Sequence, residues 1–206
     1  MSFERVDLGP DVTLYRGDCL EVMPTLPDAC IDLTVTSPPY DNLRTYNGNV
    51  SAFKFEPIAR ELYRVTKPGG AVVWVVDDAK IHGSESGNSF RQALYFMDLG
   101  FYLHDKMIYR KLNGAMGAHN EYLQEFEMMF VFSKGAPKSV NLLRDRKNII
   151  GCAEKTTPKT KSDNTGRLSE RRVIVLDEFG RRKNIWEYSV GGIQDVGYHP
   201  APFPES

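Results

Sequence analysis

Two apolar runs, Ile31-Asp32-Leu33-Thr34-Val35-Thr36 and Ala71-Val72-Val73-Trp74-Val75-Val76, flank a stretch in which Phe55, Ile58, Leu62 and Val65 recur at steps of three and four. Runs rich in β-branched residues suit strands covered on both faces, and a three-four step lays an apolar stripe along a helix. Strand, helix, strand in this order leaves little choice, because parallel neighbours need a crossover of this length and the crossover is right-handed. The helix is expected to stop at Lys67-Pro68-Gly69-Gly70. A βαβ unit follows, set in a doubly wound α/β sheet with helices on its faces.

The flanking elements extend the pattern. Val12-Thr13-Leu14-Tyr15 predicts a short strand ending at Gly17-Asp18, where Asp18 is placed to cap a helix through Leu20, Val22 and Met23. A polar loop, Asp77 to Gly87, leads to a helix with Phe90, Leu94 and Met97 on one side and Gly100 at its end. Phe101 to Tyr109 and Glu127 to Phe132 read as two more strands, either continuing the parallel sheet or forming an antiparallel pair at one edge. Trp74, Phe90, Phe101 and Phe130 are expected in the core, each on an apolar face. His82, Ser84 and Ser86 read as a surface turn.

Beyond Lys134 the periodicity weakens. Lys155 to Gly166 reads as a polar, basic loop. Arg172 to Leu176 predicts a strand that turns through Glu178-Phe179-Gly180 into Asn184-Ile185-Trp186-Glu187-Tyr188. Charge separates the same regions: residues 1–133 hold 12 Lys/Arg against 18 Asp/Glu, residues 134–183 hold 14 against 6, and residues 184–206 hold none against 3. A net charge of −1 therefore conceals one strongly basic segment.

Cys19, Cys30 and Cys152 form no Cys-x-x-Cys pair, which supports neither a disulfide framework nor a zinc site and suits a reducing cytoplasm. The longest apolar run, Ala71 to Val76, is too short to span a bilayer, so no membrane partner is expected.

Ligands of open α/β sheets bind at the carboxyl ends of the strands. Ser37-Pro38-Pro39-Tyr40 leaves the first run at such an end. The prolines hold φ at about −65° and remove two N–H donors, so the segment is stiff and rich in acceptors. That suits methyl transfer to an exocyclic amine of a nucleobase. Hydrogen bonds accepted by the Ser37 side chain and the Pro38 carbonyl would return electron density to the nitrogen and orient it for in-line attack. Tyr40 would stack on a base swung out of the duplex. An isolated Pro-Pro-Tyr would merely end a strand, but this one follows a buried run and a preceding Gly17-Asp18.

Four motifs then stand in one order: Leu14-Tyr15-Arg16-Gly17-Asp18-Cys19-Leu20, Asp32 to Tyr40, Arg64-Val65-Thr66-Lys67-Pro68-Gly69-Gly70 and His199-Pro200-Ala201-Pro202-Phe203-Pro204-Glu205. Together they resemble the beta-class DNA amino-methyltransferases over essentially the whole chain. The resemblance implies a Rossmann-like methyltransferase sheet with S-adenosylmethionine as methyl donor and double-stranded DNA as substrate. It puts Asp18 near the adenine end of the cofactor and His199, Pro200, Ala201, Phe203 and Pro204 along its methionine end. Cys19, Thr36 and Ser37 complete that set. Ser37, Pro38, Pro39 and Tyr40 become the catalytic residues, and Ser rather than Asp before Pro-Pro-Tyr favours N4 of cytosine over N6 of adenine. A cytosine C5 mechanism is unlike this chain, since none of its cysteines follows a proline, and no covalent intermediate is expected.

By the same resemblance the chain divides into a catalytic α/β region, 1–133, a basic target-recognition region, 134–190, and the start of a cofactor-binding segment, 191–206. Lys155, Lys159, Lys161, Arg171, Arg172, Arg181 and Arg182 are the candidate phosphate contacts, with a solvated charged loop as the alternative. Asn42, Arg44 and Tyr46 extend the catalytic loop toward the flipped base, or serve only as loop structure. Trp186 and Tyr188 stay open between core and ligand. The family's Phe-x-Gly-x-Gly loop is absent, and with it the central strands of the expected sheet. The fold is therefore expected to be incomplete at its carboxyl end. A complementing second chain, a truncation, and a sheet repacked by self-association into a homodimer are the three explanations, with a non-catalytic DNA-binding relative as the alternative function.

Overall fold

A computed structural model of the chain describes residues 3–39, 53–112, 122–148, 154–156, 173–175 and 177–189. The first elements are β1 (Glu4–Gly9) and β2 (Val12–Arg16), an antiparallel hairpin that forms its own two-stranded sheet. The predicted strand is therefore present, but it pairs with β1 rather than joining a larger sheet. Asp18 caps α1 (Cys19–Val22) as expected, its carboxylate accepting the Leu20 N–H at 2.9 Å.

The βαβ unit is present. β3 (Ile31–Thr36) leads through α2 (Phe55–Val65) to β4 (Thr66–Val76), and the two strands pair in parallel. α2 buries Ala59, Leu62 and Val65. The helix ends at Val65, short of the expected segment, and Lys67-Pro68-Gly69-Gly70 is itself drawn into β4. Lys134 holds that helix end, its Nζ donating to the carbonyls of Tyr63 at 2.6 Å and Thr66 at 3.0 Å. At Gly70 β4 runs close against the backbone of β3. A Cβ there would lie 2.9 Å from the Asp32 carbonyl oxygen and 3.1 Å from that of Ile31, so a side chain would push β3 away.

A small ladder, β5 (Lys80–Ile81) with β6 (Ser84–Glu85), lies within the polar loop and leads to α3 (Asn88–Asp98). β7 (Tyr102–Lys111) and β8 (Phe126–Ser133) pair antiparallel. β8 lies between β4 and β7, so the pair is internal rather than at the edge. Near the carboxyl end, a strand over Ile185–Tyr188 adds to β7 in parallel, and among the described residues β3 forms the opposite edge of this five-stranded sheet.

One face of the sheet packs on α2 and α3. Val72, Trp74, Val76, Phe130 and Phe132 meet Ala59, Leu62, Ala93 and Phe96, all buried, with Phe101 closing the cluster. Trp74 is set edge-on to Phe96 with ring centroids 5.2 Å apart. Its indole N–H donates to Gln92 Oε1 at 2.8 Å, and both residues are buried. Trp74, Phe101 and Phe130 are therefore core residues as expected, but Phe90 is not. α3 turns Ser89, Gln92, Ala93 and Phe96 inward and leaves Phe90, Leu94 and Met97 exposed. The inward face must accommodate an indole and supply an acceptor to it, and Gln92 does so where Leu94 could not. Nor is β3 covered on both sides: Leu33 and Val35 are 57% and 61% exposed on the face away from the helices.

Residues 140–183 form a second compact unit. Within it β9 (Arg146–Lys147) pairs with β12 (Phe179–Gly180), and β10 (Glu154–Thr156) pairs with β11 (Val173–Val175). β11 meets the predicted strand. β10 replaces the start of the expected loop at Lys155 and Thr156. The strand Ile185–Tyr188, numbered β13, belongs instead to the unit of residues 1–139 and 184–206.

Replacing Gln92 by Leu removes the acceptor of a buried indole N–H while keeping the volume. The expected cost is about 1–3 kcal/mol, an unpaired buried donor being dearer than a lost exposed bond. It is read as a lower urea midpoint with an unchanged slope; an unaltered midpoint would mean that the indole finds another acceptor.

Candidate functional site at the carboxyl ends of the strands

β3, β4, β7 and β13 run in one direction, so their carboxyl ends share one edge of the sheet. Pro38 is buried between an exposed Ser37 and an exposed Pro39 as the chain leaves β3. One ring thus anchors the segment while its neighbours face solvent. Thr36 is half-buried and pairs in register with Trp74, which ties this exit to the core described above.

The neighbouring strand leaves the same edge as Asp77-Asp78. Asp78 serves structure: its carboxylate accepts from the Ser89 N–H at 3.0 Å, the Ser86 hydroxyl at 2.9 Å and the Ser89 hydroxyl. It caps α3 where Gly87, in the left-handed region, has no side chain to do so. Burial raises its pKa, but these hydrogen bonds outweigh burial and hold it below the usual value.

Asp77 differs. Burial, reinforced by the negative charge of Glu127, holds its carboxyl above the usual value against the opposing Asp78 N–H and Lys111. Gln124 Nε2 approaches it at 3.4 Å. Lys111 pairs with Glu127 on the adjacent strands, and Arg110 bridges Glu125 at 3.1 Å and Glu187 at 2.7 Å. Tyr109 and Tyr188 stack with centroids 5.7 Å apart, and burial followed by Glu127 pushes the Tyr109 phenol up. A desolvated carboxyl, an ion pair and two stacked rings at the end of a sheet can accept a proton and present an aromatic surface.

Sequence reasoning does not single out Asp77, Lys111, Glu127 or Tyr109. An acidic pair directly after a buried strand, at the edge where Ser37 emerges, is the available signal for Asp77. The other three become visible only through strand register.

Of the predicted site residues, Asp18 and Cys19 stand together at the start of α1, both exposed, with the Cys19 thiol pushed up by burial and then by Asp18. Tyr40, Asn42, Arg44 and Tyr46 lie outside the described residues, as do Lys159, Lys161, Arg171, Arg172 and His199 to Pro204. Lys155 is on β10, and its side chain is not among those described. Arg181 is exposed. Arg182 is partly committed, donating to Asp145 at 2.7 Å. Residues 140–183 hold 12 Lys/Arg against 6 Asp/Glu. Among the described residues no group could hold a metal ion, and no helix is long and apolar enough to cross a membrane.

Comparison with known proteins identifies the family. A family model described as a DNA methylase of the N6/N4 type matches residues 31–206. The orphan methyltransferase M.BamHII of Bacillus amyloliquefaciens is 52% identical over 184 residues, covering 86% of this chain and 69% of that protein. The type II beta methyltransferase M.BslI of Bacillus sp. (strain NEB-606) is 29% identical over 158 residues, covering 65% of this chain and 17% of that protein. In three dimensions the solved PvuII DNA methyltransferase (cytosine-N4-specific) aligns with a TM-score of 0.55 at 18% identity. The alignment covers 91% of this chain and 64% of that one, a likeness of fold.

The Asp77 environment has a thermodynamic signature. Its folded pKa lies above the unfolded value, so its contribution to stability is complete below about pH 3.8 and is lost as pH rises through the folded pKa. An amide in its place cannot ionise. The stability of Asp77→Asn relative to the parent should therefore increase as pH is raised from about 4 to 7 in urea unfolding. A pH-independent difference would contradict the burial assigned to this carboxyl.

Proposed function

The chain belongs to the N6/N4 family of DNA methylases, and from that premise we propose that it transfers a methyl group from S-adenosylmethionine to the exocyclic amine of a base swung out of double-stranded DNA, N4 of cytosine in preference to N6 of adenine. The observation that carries this reading is the exit of β3, where a buried Pro38 fixes an exposed Ser37 and Pro39 at the carboxyl edge of the sheet. An amine held there by the Ser37 side chain and the Pro38 carbonyl would have its lone pair turned outward, away from the ring plane. Tyr40 supplies the stacking surface that keeps the base out of the helix. Ser37, in place of an acidic residue, supports cytosine N4.

The donor set suits the cofactor. Asp18 offers an exposed carboxylate, which accepts hydrogen bonds from hydroxyl or amine groups, and Thr36 and Ser37 bring hydroxyls to the end of β3. With Cys19, His199, Pro200, Ala201, Phe203 and Pro204, these are the residues that would hold it. The bound cofactor supplies an electrophilic methyl group on a sulfonium. Lys155, Lys159, Lys161, Arg171, Arg172, Arg181 and Arg182 would give the basic unit its attraction for phosphates, and Asn42 and Arg44, which follow Tyr40 in sequence, would contribute to holding the base.

The position of β3 at the sheet edge among the described residues, with Leu33 and Val35 exposed, supports a second reading, in which transfer needs further polypeptide paired with that edge. Incubation of duplex DNA with labelled cofactor, followed by nucleoside mass spectrometry, separates these. N4-methylcytosine is expected, whereas N6-methyladenine would overturn the choice of base. Transfer only after a complementing polypeptide is added would select the second reading, and none in either case would remove both. In the active preparation, Tyr40→Ala should lower kcat by about 10- to 100-fold, the worth of one stacked base, with little loss of DNA affinity. Equal losses in both would contradict the stacking role.

A further inference from the structure

We propose that the cleft between α2 and α3 binds a nucleotide, its phosphate held by Lys54, Arg91 and Gln92 and its base laid against the rings of Phe53 and Phe55. The inference goes beyond the methyl-transfer reading and does not rest on it. The cleft has a volume of about 730 Å³ between the amino-terminal halves of the two helices, with Ile81 of β5 on its wall. That is within the roughly 300–1,000 Å³ typical of sites for small ligands. It is separate from the exit of β3, since Asp18, Cys19, Thr36 and Ser37 do not line it.

A buried donor points to a ligand. Gln92 is only 7% exposed; its Oε1 accepts from the Trp74 indole, and its Nε2 has no partner among the described residues. The fully enclosed side-chain atom left without a partner among those residues is Ser133 Oγ, so the Gln92 nitrogen reaches the cleft that Gln92 lines. Charge selects what it meets. Lys54, Arg60 and Arg91 line the cleft against one acid, Glu56, which lies 3.7 Å from Arg60. Arg60 is further committed, donating to the Tyr95 hydroxyl at 2.6 Å. Arg91 engages only through Nη1, donating to the Ser86 carbonyl at 2.7 Å and Asn88 Oδ1 at 2.9 Å, which leaves Nε and Nη2 for a paired contact with an oxyanion. Lys54 is exposed and makes no ion pair among the described residues.

The rings set the other half of the ligand. Phe55 stands edge-on to Trp74 at 5.9 Å and to Tyr95 and Phe96 at 5.4 Å, which fixes its plane, and Phe53 lies 6.5 Å from Trp74. Both are half-buried, so each keeps ring surface for a flat group. Inorganic phosphate would leave the rings idle, and an apolar ligand would leave the cations unpaired. A base joined to a phosphate uses both. Either a free mononucleotide or one nucleotide of a bound strand supplies this chemistry.

Titration calorimetry of the full chain with thymidine 5′-monophosphate and with tetrathymidylate tests the assignment. The parent is expected to bind at least one of them. Lys54→Gln and Arg91→Gln should each weaken that binding about tenfold, the worth of one charged hydrogen bond, with an unchanged circular dichroism spectrum because both residues are exposed. Gln92→Glu keeps the acceptor for Trp74 and turns the donor into an oxygen, and should weaken binding at least as much. Phe53→Ala should cost about tenfold through lost stacking without altering the salt dependence, whereas Arg91→Gln should lower the salt slope for tetrathymidylate by about 0.7. Tighter binding of the tetranucleotide, lost with Arg91→Gln, identifies a strand, and equal binding of both probes identifies a free nucleotide; either upholds the proposal. No binding of either probe, binding indifferent to Lys54→Gln and Arg91→Gln, or displacement of the probes by S-adenosylmethionine would each overturn it.

Discussion

The bond from the Trp74 indole to Gln92 governs much of this architecture. Trp74 is the largest side chain on the second strand of the βαβ unit, fully buried, and its N–H would be a costly orphan without an acceptor. Supplying that acceptor fixes which face of α3 turns inward, and Phe96 then closes edge-on over the indole. Since Trp74 also stands in register with Thr36, the same contact holds the strand from which Ser37 and Pro38 emerge. Packing and site are one problem here. A helix rotated to bury Phe90, Leu94 and Met97 would gain apolar contacts, yet strand the indole and loosen the support of the strand that leads to Ser37.

The carboxyl ends of the sheet gather side chains from distant parts of the chain. Asp77, Lys111, Glu127, Tyr109 and Tyr188 come from β4, β7, β8 and β13 or the residue that follows, and converge only because those strands are in register. Two adjacent carboxylates serve opposite ends. Asp78 is hydrogen-bonded into the start of α3 and kept ionised, whereas Asp77 is desolvated beside Glu127 and kept closer to neutrality. Two neighbouring carboxyls are thus pushed in opposite directions by their surroundings.

Much of this is legible in the residues. The βαβ unit follows from two apolar runs and a three-four stripe, the Asp18 cap from a single carboxylate before Cys19, and the family from four ordered motifs, the family model itself matching residues 31–206. Phe90, by contrast, is placed in the core by periodicity and lies outside it for a physical reason. Periodicity finds the most apolar face of a helix, whereas the buried face of α3 is chosen by a polar requirement at Gln92. The covering of β3 misleads similarly, because Leu33 and Val35 have the composition of a buried strand yet lie on the face of the sheet away from the helices. β1 escapes sequence reasoning altogether, its Glu4-Arg5-Val6-Asp7 alternation being exposed on both faces and so lacking any burial signal. The strand at Ile185–Tyr188 is expected within the basic region, yet its parallel register with β7 draws it into the main sheet.

The two uncovered apolar surfaces differ in what they can bind. Among the described residues β3 is an edge strand whose exposed Leu33 and Val35 accompany a row of edge backbone donors and acceptors, so a matching partner must bring a strand as well as side chains. Along α3 the backbone groups of the helix interior bond to one another, and only side chains remain to be matched. Helix-to-helix packing meets that need and a strand does not. The surfaces also lie on opposite faces of the same sheet, since α3 covers the side of Trp74 and Val76 while Leu33 and Val35 point away from it. Polypeptide added at the β3 edge would therefore leave the α3 stripe open.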